Sequence, residues 1–191
     1  AYSPHQKEVY EAFQYADAKG VLMVHAAGND NKDVDTEPNF PTYQYSFQTK
    51  KLDHFLTIGS STKNKKGEVV SSFSNYGQFG VDVFAPGSEI YNSVPQSDYA
   101  TIQGTSMACP MVAGAAAMLK SYFPAMSMKE IKTVLLETAT SYSGESHIKP
   151  GGEHAPGVEP DTVDFSTLSV TGGVINLYEA VKKCLELEES K

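Results

Sequence analysis

The chain has 191 residues, and its 23 acidic side chains against 15 basic ones give a formal net charge of −8. Every basic residue is a lysine, so no guanidinium fork is available, and the negative balance argues against nucleic acid or a phosphate clamp as partner. No window reaches the roughly 18 continuous apolar residues of a membrane span, and the N-terminal AYSPHQKEVY lacks the basic, apolar and small order of a signal peptide.

In chain order, residues 3 to 20 (SPHQKEVYEAFQYADAKG) predict an amphipathic helix. Ser3 stands at the N-cap, Pro4 at the first helical position and Gly20 at the C-terminal cap, with an apolar stripe of Val9, Ala12, Phe13 and Ala16. VLMVHAAG, residues 21 to 28, is a continuous apolar run that suits a strand covered on both faces, as in a parallel sheet. HFLTIGSS (54 to 61) and VDVFAPG (81 to 87) repeat a brief apolar run closing on Gly or Pro and read as further strands. From Thr105 to Lys120 small apolar residues predict a helix buried nearly all round, with Ala113, Gly114, Ala116 and Ala117 allowing close packing. A further helix opens at SMKE, where Ser127 and Glu130 form a capping box, and runs through Ile131, Val134 and Leu135. Residues 141 to 172 lose periodicity and become rich in Gly, Pro and acids, which predicts a loop excursion. GGVINLYEAVKKCLELEESK then gives a brief apolar piece and a last amphipathic helix with a solvated tail, ELEESK. Helix followed by buried strand means an α/β layout, and no repeat or linker divides the chain. Cys109 and Cys184 are far apart and lack C-x-x-C spacing, so each is expected to act as a small buried hydrophobe.

GTSMACP, residues 104 to 110, raises the question of chemistry. A serine hydroxyl is a weak nucleophile at neutral pH and needs a base, a group to orient that base, and donors for the developing oxyanion. Thr105 reads as an N-cap, placing Ser106 in the first turn among unpaired N–H groups at the positive end of the helix dipole. Pro110 cannot donate to the Ser106 carbonyl, which loosens the helix at the serine. This is not the esterase elbow, because G-x-S-x-G requires glycine at 108 and finds Ala108. On these residues alone, a serine that merely starts a helix explains the pattern better than a nucleophile.

The stretch YATIQGTSMACPMVAGAAAMLKSYFP closely resembles the serine segment of the subtilisin-like serine proteases. GVLMVHAAGND is similar to that family's strand ending in the oxyanion-hole asparagine, and HFLTIGSS, SSFSNYG, VDVFAPG and GGVINLYEAV follow its later segments in the same order. The resemblance spans about residues 3 to 140 and 172 to 182. It implies a three-layer α/β/α fold with a mostly parallel sheet, incomplete at its N-terminal side, in which residues 1–191 form the C-terminal part of one catalytic domain. It implies a serine endopeptidase acting through an acyl-enzyme on Ser106, with the Asn29 side-chain amide and the Ser106 backbone N–H as oxyanion donors. Ala26, Ala27 and Gly28 would line the primary specificity pocket, and Thr105 is grouped with these substrate-binding positions. The pocket floor would lie near Asn39, which replaces a family-typical glycine and predicts a shallower or more polar pocket. Met111 stands where the family usually has a histidine that is not the catalytic one.

In this family the triad runs Asp, His, Ser along the chain, so acid and base should lie upstream of Asn29. No D-[ST]-G occurs, and His5, His25, His54, His147 and His154 all lack the H-G-x-H setting of the base. His25 is expected to be a satisfied core histidine, His147 and His154 exposed loop residues, and Asp30 and Asp33 surface acids. The expectation is therefore a portion of a longer domain, inactive by itself, whose preceding part supplies Asp and His. In subtilisin itself, losing Ser or His alone costs about 10⁶ in turnover. The rival is a non-catalytic, peptide-binding pseudoprotease; an esterase is disfavoured by the missing elbow glycine. Expected partners are a polypeptide substrate and the missing N-terminal part, with exposed sheet surface favouring a homodimer. No cofactor enters the chemistry. Members of the family often carry structural calcium, and Asp82 lies where a weak cation site sometimes occurs, but a lone surface aspartate is the commoner case and no metal is expected. The resemblance also implies an extracytoplasmic location.

Overall fold

The computed structural model describes residues 4–37, 39–42, 45, 47–48, 51–63, 68–152, 157 and 159–190. Helix α1 (Gln6–Ala18) is followed by strands β1 (Met23–Ala26), β2 (Phe55–Ser61) and β3 (Val83–Pro86), and then by β4 (Ile90–Val94) and β5 (Asp98–Ile102). Helices α2 (Thr105–Tyr122) and α3 (Met128–Glu137), strands β6 (Thr140–Ser141), β7 (Ser146–Ile148), β8 (Thr162–Asp164) and β9 (Gly173–Val174), and helix α4 (Leu177–Glu189) complete the order. The central sheet runs β1-β2-β3-β9-β6. β1, β2, β3 and β9 are parallel, and β6 lies antiparallel to β9.

The strands form because their apolar residues serve two faces at once. Leu56, Ile58, Val83 and Ala85 pack with Val112, Leu119, Ile131, Leu135, Ala180 and Cys184 of α2, α3 and α4. Phe55 points the other way, into a cluster with Tyr10 of α1 and with Tyr45 and Leu52. Phe84, on the same side, meets Val81, Phe165 and Leu168. Each fully buried side chain of this size contributes about 1.5–3 kcal/mol of apolar transfer, so the α/β layout follows from the sequence pattern. The α3 start is as expected: the Ser127 hydroxyl accepts from the Glu130 N–H, and the Glu130 carboxylate accepts from the Ser127 N–H.

Several expectations are corrected. Ser3 lies outside the described residues, and α1 begins at Gln6 with His5 at its cap, so Pro4 occupies the turn before the helix. On α1 Tyr10 is the buried residue, whereas Ala12 is exposed and Val9, Phe13 and Ala16 are half-buried, because the helix leans on an aromatic cluster at one side of the sheet. β1 is an edge strand with all four residues only half-buried, not a strand covered on both faces. For the same reason α2 is not buried all round. Ala108, Val112, Ala116 and Leu119 are buried, while Ala113, Gly114, Ala117 and Met118 face out past the sheet edge. Between β1 and α2 lies an apolar groove of about 390 Å³ lined by Leu22, Val24, Ala113, Ala116, Ala117 and Met128, among others.

The described residues of the excursion at 141 to 172 include regular elements, so it is not a plain loop. It contains the antiparallel β7–β8 hairpin and a 3₁₀ turn at Phe165–Thr167. Burial of Phe165 and Leu168 against the sheet pins it there. The β4–β5 hairpin is also absent from the sequence reading. Its strands are mainly exposed, and its turn rests on positive φ at Gln96 (71°) and Ser97 (60°), as a tight hairpin connection requires.

Candidate active site

The C-terminal ends of the parallel strands converge on the start of α2, the position at which open α/β sheets place their ligands. The chain leaves β1 through Ala27 and turns at Gly28, whose φ of 104° favours glycine, into Asn29. After β5 it returns through Gly104, whose N–H donates to the Gly87 carbonyl just beyond β3 at 2.8 Å. Gly104 is the N-cap, without a side-chain cap, and Thr105 is the first residue of the helix rather than its cap.

That shift of one residue frees the Thr105 side chain for another task. Its hydroxyl donates to Asn29 Oδ1 at 2.9 Å and accepts the Gly28 N–H at 3.1 Å. The Thr105 N–H donates to the same Asn29 oxygen at 2.9 Å. Thr105 is 1% exposed, so it holds Asn29 in place and does not present its side chain to a ligand. With Oδ1 filled, Asn29 has its Nδ2 amide left to offer. A Cβ placed on Gly104 would lie 3.3 Å from Asn29 Nδ2 and 3.7 Å from the Ser106 N, so the two donors flank one small space that glycine leaves open. Ser106 is exposed beside that space. Its N–H, in the first turn, has no intrahelical acceptor, and Pro110 sits four residues on, inside the helix. Convergent N–H donors at a helix start are suited to hold a developing negative charge.

Asn39 is brought to the same strand. Its Nδ2 donates to the Ala27 carbonyl at 2.8 Å, beside Gly28, and its Oδ1 accepts the Phe40 N–H at 3.0 Å. The Ala27 carbonyl also accepts from Asn75 Nδ2 at 2.8 Å. Asn75 is a residue the sequence reading missed, since SSFSNYG was used there only as a likeness. Met111 is exposed on α2.

The histidines fall elsewhere. His25 is not a satisfied core residue: its buried Nδ1 has no partner, and burial lowers its pKa to about 4, with the ring 5.9 Å from that of Phe55. It lies on the β1 face that looks toward α1 because strand residues alternate sides. His54 pairs with Asp17, whose Oδ1 is 3.0 Å from Nδ1 and accepts the His54 N–H at 2.7 Å. This pair ties α1 to the beginning of β2, the end of the strand away from Ser106. His147 is buried rather than exposed, its ring 4.9 Å from Phe165 within the β7–β8 hairpin's aromatic cluster. His5 is exposed at the start of α1, and His154 lies outside the described residues. Among the described residues no histidine or carboxylate is hydrogen-bonded to Ser106. Asp30 is exposed and Asp33 caps the Asp35 N–H. Asp82 is no surface residue: it is buried, accepts the Thr57 N–H at 2.7 Å, and has its carboxyl pushed up by burial. Cys184 is buried as expected, but Cys109 is half-buried and donates to the Val24 carbonyl; both are free thiols.

The fold is that of the subtilases. The model of the subtilase family matches residues 1–158, and the chain belongs to that family. Among curated relatives, thermitase of Thermoactinomyces vulgaris is 42% identical over 134 residues, which cover 70% of this chain and 42% of that protein. Subtilisin BL of Lederbergia lenta is 36% identical over 131 residues, covering 69% and 43%. The structure of a cold-adapted subtilisin-like serine proteinase superimposes with a TM-score of 0.58 at 34% identity over 71% of this chain and 44% of that one. The structure of the subtilase cytotoxin SubAB assembly shares the fold over 97% of this chain and 56% of its own, with a TM-score of 0.72 and 24% identity. The chain spans less than half the length of these curated relatives.

Proposed function

We propose that this chain is the serine-bearing part of a subtilisin-like serine endopeptidase, completed by an Asp and a His from a preceding part of the same domain. The observation that supports this reading most is that Asn29 Nδ2 and the Ser106 N both border the space left open at Gly104, next to the exposed Ser106. With a histidine in place, the Ser106 Oγ attacks the scissile carbonyl carbon and the histidine takes its proton. The carbonyl oxygen becomes an oxyanion held by the two donors, and the intermediate collapses to an acyl-enzyme as the histidine returns the proton to the leaving amine. Water then attacks the ester carbonyl by the same route and releases the acid. Ala26, Ala27 and Gly28 line the pocket for the residue before the cut. Asn39, hydrogen-bonded to Ala27, makes its floor shallower or more polar. The free edge of β1 and the groove against α2 are where the preceding part adds. Because no histidine or carboxylate among the described residues is bonded to Ser106, the chain taken alone is expected to be inactive, and that uncovered face favours self-association into a homodimer. No cofactor is needed, and the family resemblance favours an extracytoplasmic location.

The test is a fluorophosphonate probe on the complete protein, with Ser106→Ala as control. Stoichiometric labelling lost in Ser106→Ala, together with peptide cleavage, supports the protease. An unlabelled, folded protein that still binds peptide supports the non-catalytic module, and hydrolysis of esters without amides supports an esterase.

A further inference from the structure

We infer that Asn75 is the positioning residue of the Asn29 loop, acting on the proposed oxyanion site without touching the substrate; this rests on the proteolytic reading above. Asn75 is 2% exposed, and one side chain bonds the backbone on both sides of Asn29. Its Nδ2 donates to the Ala27 carbonyl at 2.8 Å, and its Oδ1 accepts the N–H groups of Asp30 and Lys32, each at 3.0 Å. Its own N–H donates to the Gly28 carbonyl at 2.9 Å. Residues 27, 28, 30 and 32 are therefore all bonded to Asn75, and the residue they bracket is Asn29.

The loop needs such a tie. Asn29, Asp30, Asn31 and Lys32 are all exposed, so no apolar anchor holds them. Gly28 at φ 104° and Asn31 at φ 50° adopt conformations that persist only where surroundings over-determine them. The Asn31 N–H is held by the Phe73 carbonyl and the Lys32 carbonyl by the Tyr76 N–H, both 3.0 Å, so the segment carrying Asn75 supports the whole bend. Thr105 fixes the rotation of the Asn29 amide from the α2 side. Asn75 fixes where its Cα stands. A carboxamide is the group suited to this position because one arm must donate to a carbonyl and the other must accept two N–H groups. An ionised aspartate offers acceptors only, and a serine is too short to span both sides.

The experiment is a double-mutant cycle in the complete protein, with Asn75→Asp, Asn75→Ser and Asn29→Ala singly and Asn75→Asp with Asn29→Ala. Removing one oxyanion donor of this kind in a subtilisin lowers kcat by about 10²–10³. Displacing that donor rather than deleting it is expected to lower kcat roughly 10- to 100-fold in either Asn75 variant, with KM nearly unchanged, because the interaction acts in the transition state. In the Asn29→Ala background Asn75→Asp should cost nothing further, since a positioning residue acts through the group it positions. A second readout is independent of turnover: the Asn29 side-chain amide signal in the NMR spectrum should broaden, and the Asp30 and Lys32 amides should lose hydrogen-exchange protection. Equal losses of kcat with and without Asn29 would overturn the inference, as would an Asn29 amide signal unchanged by either variant. If the parent protein proves inactive, the proteolytic reading fails, while the amide signals still decide whether Asn75 positions Asn29.

Discussion

Asn29 Oδ1 accepts both the backbone N–H and the hydroxyl of Thr105, each at 2.9 Å. Thr105→Val keeps the shape but removes the hydroxyl, leaving the Gly28 N–H without its acceptor and Asn29 with one bond in place of two. Kinetics on the complete protein should show kcat lowered about 10-fold at nearly constant KM, as expected when a group acting in the transition state is loosened. Thr105→Ser keeps the hydroxyl and should stay within roughly twofold of the parent. Equal losses in the two variants would mean that packing of the Thr105 methyl, not its hydroxyl, governs the site.

His25 makes stability depend on pH in a defined window. Burial holds its folded pKa at about 4, against an ordinary 6.5. As pH falls through 6.5 the unfolded chain takes up a proton that the folded chain refuses, so stability drops until pH reaches about 4 and then levels off. The full loss is about 3 kcal/mol. In His25→Leu, which places an apolar side chain against Phe55, this contribution should vanish. Urea unfolding at pH 7 and pH 4 checks it: the stability advantage of the variant should grow by about that amount at the lower pH, and a constant difference would refute the assignment.

Gly28 joins β1 to the site under two constraints. Its φ is 104°, and a Cβ there would lie 2.8 Å from Asn39 Nδ2 and still closer to Asn75 Nδ2. Gly28→Ala should therefore lower stability by about 1–3 kcal/mol from the backbone conformation alone, and further by displacing two amides that share the Ala27 carbonyl. A denaturant midpoint unchanged from that of the parent would show that the loop accommodates the methyl group by moving.

What could be read from the sequence had local causes. The Ser127 and Glu130 capping box needs partners three residues apart, and β2 and β3 declare themselves through the short apolar runs around Phe55, Leu56 and Ile58 and around Val83, Phe84 and Ala85, all of them buried. The resemblance around Ser106 and Asn29 pointed to the candidate site, while composition and periodicity favoured an ordinary helix start. Other features depended on partners distant along the chain. The half-exposure of β1 and α2 follows from where the sheet ends, and a run of alanines reads the same whether or not something packs on it. The burial of His147 depends on Phe165, and the β4–β5 hairpin is exposed and so lacks apolar alternation. Thr105 reads as a cap by its neighbours, yet its hydroxyl is taken by Asn29, 76 residues away, and Asn75 reaches the Ala27 carbonyl across 48 residues. The sequence by itself determined the helices, the buried strands and the family. Tertiary structure decided which side chains hold Asn29 beside Ser106, because a polar group bonds whichever partner the fold brings within about 3 Å, and that choice leaves no period in the sequence.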